Sequence, residues 1–329
     1  MKETRASGME SPNFTSSDFK NKVEGFASPT QRPSSNEERQ QWQAANRAWW
    51  SATPMRYNWR QEIAFPLHSA EYFSEVDARF FASARRYMPW RELPFDREIP
   101  YPQLAGLDVL EIGVGQGSHA GLIAPRARSF TGIDITEPAV AATSRRMQQL
   151  GLANARILQI DAEEMSFPDG SFDYIWSWGV IHHSADTRRV LEQMHRVLRP
   201  GGRANVMVYH RSVWKYYVFD GLLKGLAQGR FLRGRSLHDV NQAATDGAIA
   251  RYYRKHEWRA LSADLFRIDE FRVTGLKVEL IPLPAGRLKA MLERALPDAL
   301  TRFFTNALGW GSFLTIHMTK VDCGSGRPV

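Results

Sequence analysis

The sequence holds one cysteine in 329 residues, Cys323, which excludes both a disulfide framework and a cysteine-based zinc site. It has no apolar run approaching the 18 or more residues of a membrane-spanning helix. Its first 36 residues are rich in Ser, Asn, Thr and Glu and lack the apolar core of a secretory signal, so the cytoplasm is the expected compartment. The nine histidines include no His-x-His or His-x-x-x-His pair, and no metal site is expected. No internal repeat is visible. What remains is an ordinary globular composition, 43% apolar and 24% charged, in a chain long enough for one large domain or two small ones. The net charge of +8 is unevenly spread, with −4 over residues 61–200 and +9 over 201–329. A basic final third invites an anionic partner: nucleic acid, a membrane surface or an acidic substrate.

Residues 1–38 have no periodic apolar positions and read as a disordered tail. Residues 39–103 carry Trp42, Trp49, Trp50, Trp59 and Trp90 and read as an ordered, helical extension, because aromatics need a surface to pack on. From residue 104 to the end the pattern alternates. Asp108–Ile112, Phe130–Asp134, Arg156–Ile160, Phe172–Trp178 and Arg203–Tyr209 are apolar strands, with helices near 118–127, 137–150 and 186–198. Thr136, Glu137 and Pro138 read as N-cap, dipole partner and first-turn proline of one such helix. Strand–helix alternation implies a mostly parallel sheet with right-handed crossovers. The rhythm breaks at about 211–250, read as an insertion that begins aromatic and basic and then becomes loop-like. Helix 257–266, strand 271–280, helix 287–308 and strand 312–319 complete the expected order.

The turn after the first strand reads Glu111-Ile112-Gly113-Val114-Gly115-Gln116-Gly117. A dinucleotide site would put its third glycine at 118, which is Ser, so the spacing suits a nucleoside without a pyrophosphate. Asp134 closes the second strand, where a carboxylate can accept from ribose hydroxyls. Asp161-Ala162 follows the third, where an Asp can accept from an adenine amine. All lie at carboxyl ends of successive strands, where open α/β sheets bind ligands.

Four stretches together, VLEIGVGQG (109–117), GIDIT (132–136), DAEEMSFPDGSFDYIWSWGVIHH (161–183) and VLRPGG (197–202), resemble the class I S-adenosylmethionine-dependent methyltransferases, in the group that includes ubiquinone/menaquinone C-methylases. The resemblance implies an α/β, Rossmann-like, seven-stranded and mostly parallel sheet with an antiparallel last strand. To it are added the helical N-terminal extension and a lid inserted after strand five. It implies S-adenosyl-L-methionine as cofactor, with Gly113, Gly115 and Gly117 under its methionine and ribose parts and Glu111 orienting that loop. Asp134 would hold the ribose, Ile135 pack on the adenine, Asp161 and Ala162 read its edge, and Ser177 and Trp178 flank the methionine portion and the methyl.

A methyl on sulfonium is already activated, so the protein must align and desolvate, and a base is needed only for an acceptor that carries a proton to lose. His182, four residues past strand four, is the first candidate base, and His210, at the end of strand five beside Arg211, the second. The structural alternative for each is a helix cap or a polar loop exit. The expected acceptor is a small molecule methylated on O, N or C, aromatic or acidic, with Trp49, Trp50, Tyr57 and Trp59 as an aromatic wall. A lipid or isoprenoid acceptor, reached by peripheral membrane contact through 211–235, is the alternative. A nucleic-acid acceptor is disfavoured, since Ser177-Trp178-Gly179-Val180 stands where amino-methylating enzymes carry a base-clamping Asp/Asn-Pro-Pro-aromatic motif. A non-catalytic cofactor-binding protein is disfavoured by the intact glycines and acids.

Overall fold

The computed structural model describes residues 23, 25–57, 61–283 and 286–321. Cys323 and Trp59 lie outside them, as does most of the expected tail. Two helices lead the chain, α1 (Asn36–Ala52) and α2 (Ala70–Tyr87), each opened by a serine whose hydroxyl accepts a backbone N–H three residues on. The central unit then runs β1 (Asp108–Ile112), α3 (Ser118–Ile123), β2 (Ser129–Asp134), α4 (Glu137–Gln149), β3 (Ala155–Gln159), β4 (Phe172–Trp178), α5 (Thr187–Val197) and β5 (Leu198–His210). A π-helix (Val213–Leu223) follows, then α6 (Lys224–Ala227), α7 (Leu237–Ala243), β6 (Tyr252–Tyr253) and α8 (Lys255–Ser262). The chain closes with β7 (Phe266–Thr274), α9 (Arg287–Ala295), α10 (Asp298–Arg302) and β8 (Phe313–Lys320).

The sheet order is β3-β2-β1-β4-β5-β8-β7, with β6 paired to the tip of β5. Pairs from β3 through β5 are parallel, and β8 is antiparallel to both β5 and β7. This is the mostly parallel α/β architecture expected. The order reverses between β1 and β4, and a crevice opens there beyond the strand ends. Two cores cover the sheet. One joins Leu110, Ile175, Leu191, Met194 and Trp258, and the other joins Phe95, Ile123, Phe130, Tyr174 and Trp176 to α2 and the loop behind it.

Four boundaries differ from expectation. The tail to residue 38 is too long: α1 starts at Asn36, and Phe26 is buried, edge-on to Trp42 and under the Arg251 guanidinium. Strand six is Phe266–Thr274, not 271–280. Its apolar positions Phe266 and Ile268, then Phe271 and Val273, are thrown out of alternation by a register shift between Ile268 and Glu270. The helix drawn over 287–308 breaks at Pro297, because a residue before proline is driven out of the helical region, and Leu296 is extended. The later insertion is not loop-like throughout: Ser236 and Asp239 form a capping box that opens α7.

Candidate functional site

Beyond β1 the chain turns through Gly113, Gly115 and Gly117, all at positive φ. The turn is fixed by Gly113 N–H donating to the Ile133 carbonyl at 2.7 Å and by Thr143 Oγ1 donating to the Gly115 carbonyl at 3.0 Å. Gly113 passes so close to the β4 loop that a Cβ would stand 2.2 Å from a Val180 methyl. A Cβ on Gly115, by contrast, meets nothing within 4 Å. The first glycine is therefore demanded by packing, and the second leaves the loop open.

Asp134 stands across this turn. Its carboxylate accepts from Gly115 N–H (3.3 Å), Thr136 N–H (3.0 Å) and the Thr136 hydroxyl (2.9 Å). Thr136 is at the N-cap of α4, but its hydroxyl serves Asp134 and makes no cap bond to the helix, which corrects its expected role. Burial raises the Asp134 pKa, against the pull of those bonds. Glu111, at the end of β1, is buried more severely. Burial, with Asp134 nearby, pushes its carboxyl well above the usual range, only partly offset by Arg146, and Oε2 has no hydrogen-bond partner among the described residues. Arg146 braces the turn from behind through an ion pair to Asp77 and a bond to the Gln116 carbonyl. An open backbone turn over a buried, under-neutralised carboxyl is a seat for a ligand carrying positive charge.

At the end of β3, Asp161 accepts from Glu163 N–H (2.9 Å) and from Gln43 Nε2 on α1 (2.8 Å). Gln43 Oε1 in turn accepts from Ala185 N–H at 2.9 Å, so one side chain of the extension ties the β3 loop to the β4 loop. Glu163, fully buried, receives Arg39 of α1 (3.0 Å), the Ser184 hydroxyl and Asp186 N–H. Arg32 forks onto Asp186, and buried Arg251 donates to the carbonyls of Gln31, Ser184 and Ala185. The extension is thus clasped over the end of the crevice formed by the loops after β3 and β4. Gln43, Arg39 and Glu163 escaped the sequence reading because their signal is long-range: partners 118 to 142 residues apart leave no local pattern.

His182 is fully buried, and neither ring nitrogen has a partner among the described residues. Its ring lies 4.0 Å from that of Tyr209 and 4.1 Å from that of His183. Burial, with His183 and Arg251 nearby, holds its pKa well below 6.5, so the ring is neutral. Tyr209 Oη donates to Asp246 of the insertion at 2.6 Å, His183 bonds the Ile249 carbonyl at 2.7 Å, and the Trp50 ring of α1 stands edge-on to His183 at 5.0 Å. Extension and insertion therefore meet at this histidine pair. His210 is not brought to it. Strand alternation turns Tyr209 toward His182 and His210 away, where its Nδ1 bonds the Gly311 carbonyl at 2.9 Å.

The remaining expected residues have these places. Ser177 Oγ donates to the Ile112 carbonyl at 3.2 Å, linking β4 to β1. Trp178 stacks on Trp176 with centroids 5.3 Å apart. The Ile135 carbonyl accepts from Gln159, and Ala162 packs on the first core. Trp49 is buried, and Tyr57 stacks on Phe80 at 4.9 Å.

Residues 109–202 match the family model described as a methyltransferase domain. The chain is 38% identical over 104 residues to 27-O-demethylrifamycin SV methyltransferase of Amycolatopsis mediterranei, covering 31% of this chain and 38% of that protein. It is 30% identical over 144 residues to demethylmenaquinone methyltransferase of Thermus thermophilus, covering 42% and 64%. Its match spans roughly two fifths to three fifths of the length of such curated relatives. Its fold is similar to that of geranyl diphosphate C-methyltransferase from Streptomyces coelicolor, solved with S-adenosyl-L-homocysteine, at TM-score 0.50 and 14% identity over 88% of this chain and all of that one.

Proposed function

Because this chain belongs, through residues 109–202, to the class I S-adenosylmethionine-dependent methyltransferases, we propose that it methylates a small-molecule acceptor on oxygen, nitrogen or carbon. The observation that carries this reading is the pairing of the open Gly113–Gly117 turn with the buried carboxyls of Glu111 and Asp134. S-adenosylmethionine carries an ammonium and a sulfonium, and a crevice floored by an unpartnered carboxyl fits such a cation. Bound there, it supplies a methyl group already activated for displacement.

The residues divide the remaining work. Gly115 and Asp134 hold the ribose side. Asp161, positioned by Gln43, and Ala162 take the adenine edge, with Ile135 against its face. Ser177 and Trp178 wall the end of β4 nearest the transferred methyl. His182 is the base for an acceptor that must lose a proton. Its neutral ring can accept without first shedding one, and its unpartnered nitrogens leave it available. Trp50, His183 and Tyr209 give this end an aromatic lining, which favours a planar or apolar acceptor.

Isothermal titration with S-adenosylhomocysteine tests the cofactor half. Wild type should bind one equivalent and Asp134→Ala none; equal affinity in the two would sink the assignment. Tritiated S-adenosylmethionine incubated with fractionated cell extracts then identifies the acceptor as the labelled product.

A further inference from the structure

Helix α9 is turned inside out. Leu288, Met291, Leu292 and Ala295 recur at helical spacing on one face and are exposed, while the one buried residue of the helix is Lys289. Lys289 Nζ lies 5.8 Å from the Phe219 ring, which sets α9 beside the π-helix 213–223. That neighbour and the turns after it expose Leu222, Leu223, Leu226 and Leu232, the last of these 93% accessible. Beside α9 lies an apolar groove of about 680 Å³, walled by Trp214 of the π-helix and by Ile281, Leu283, Leu292, Leu296 and Phe304. These side chains leave the two neighbouring segments with an unpartnered apolar face.

Charge decides what makes the contact. Residues 211–235 hold six cations and one anion, and residues 286–308 four and two. The lone anion of the first segment, Asp220, is already shared by Lys215 and Lys224. Arg233 and Arg235 form no ion pair among the described residues, and burial together with these two neighbours lowers the Arg230 pKa. A second copy of the chain would press this cationic face against its like. No helix among the described residues is long and apolar enough to cross a membrane, so a contact at the surface is what the elements permit.

We propose that the 213–235 and 286–308 segments form one docking face for the surface of an anionic phospholipid bilayer. Leu226, Leu232, Leu288 and Met291 enter the headgroup region, and Arg233 and Arg235 meet lipid phosphates. The claim stands apart from the methyl-transfer reading, because none of these residues belongs to the proposed cofactor site.

The test is co-sedimentation of the full chain with vesicles of phosphatidylcholine alone and of phosphatidylcholine mixed with phosphatidylglycerol, alongside S-adenosylhomocysteine titration. Binding should require the anionic lipid and weaken at high salt. Two surface variants, Arg233→Glu with Arg235→Glu and Leu288→Ser with Met291→Ser, should each lower the partition coefficient at least about tenfold, with cofactor affinity unchanged. Absence of binding to the mixed vesicles, equal binding to both kinds, or wild-type partitioning by both variants overturns the proposal. So does a dimer in analytical ultracentrifugation that Leu288→Ser with Met291→Ser dissolves while vesicles are ignored, since the face would then belong to a second copy.

Discussion

Replacing His182 by asparagine should alter the way stability responds to pH, and the size of the effect follows from burial. In the unfolded chain the imidazole titrates near 6.5. In the folded protein it is fully enclosed, without a partner for either nitrogen, and its pKa lies well below that value. As pH falls through 6.5 the unfolded chain gains a proton that the native state does not, so the native state loses stability. With no native uptake the loss is RT ln(1 + 10^(6.5 − pH)), which is about 1.4 kcal/mol at pH 5.5 and less than about 0.1 kcal/mol at pH 7.5. That difference, about 1.4 kcal/mol, is the full effect expected when the folded ring stays neutral throughout this pH range. The buried histidines outside this pair, His119 (pushed down to about 3) and His238 (to about 4), are common to both proteins and cancel. Urea unfolding of wild type and His182→Asn at the two pH values isolates the term. The variant should gain about 1.4 kcal/mol relative to wild type on going to pH 5.5. A double difference near zero would mean that His182 takes up a proton in the folded state, and the buried neutral base would have to be abandoned. Once the acceptor is known, turnover should fall about 100-fold in the same variant.

Three other substitutions separate structure from binding. Gly113→Ala should lower the melting temperature measurably, because its Cβ would collide with Val180; an unchanged melting curve would show that the β1 and β4 loops are not in contact. Gly115→Arg should leave the melting temperature within a few degrees of wild type yet abolish S-adenosylhomocysteine binding, since the space it fills is the open side of the turn. Gln43→Leu should weaken cofactor binding about fivefold, the worth of one hydrogen bond that holds Asp161 in place, as read by titration calorimetry. Unchanged affinity would return Gln43 to a purely structural role.

The central unit was legible because each of its signals is local. β1, β2 and β4 are short apolar runs that end on glycine or aspartate, and a parallel sheet needs no partner information to show its strands. The edge of the sheet was less legible. In β7 a register shift spoils the alternation, and at Pro297 one imino acid divides what hydrophobic spacing alone would join. The histidines show the same limit in the candidate site. Their positions after β4 and β5 are visible in sequence, but strand alternation and packing bring His182 to Tyr209 and send His210 to Gly311.

By itself the sequence determined the sheet and its crevice, since glycines and carboxyls at strand ends carry those through local backbone geometry, and its motifs together carried the resemblance that implies the cofactor. The tertiary structure alone decided which residues close the crevice. Gln43 and Arg39 reach the loops after β3 and β4 across more than a hundred residues. Asp246 comes to Tyr209 from the insertion, and α9 buries its lysine while leaving its leucines outside. Such arrangements depend on which surfaces meet once the sheet has formed, and no spacing along the chain records them.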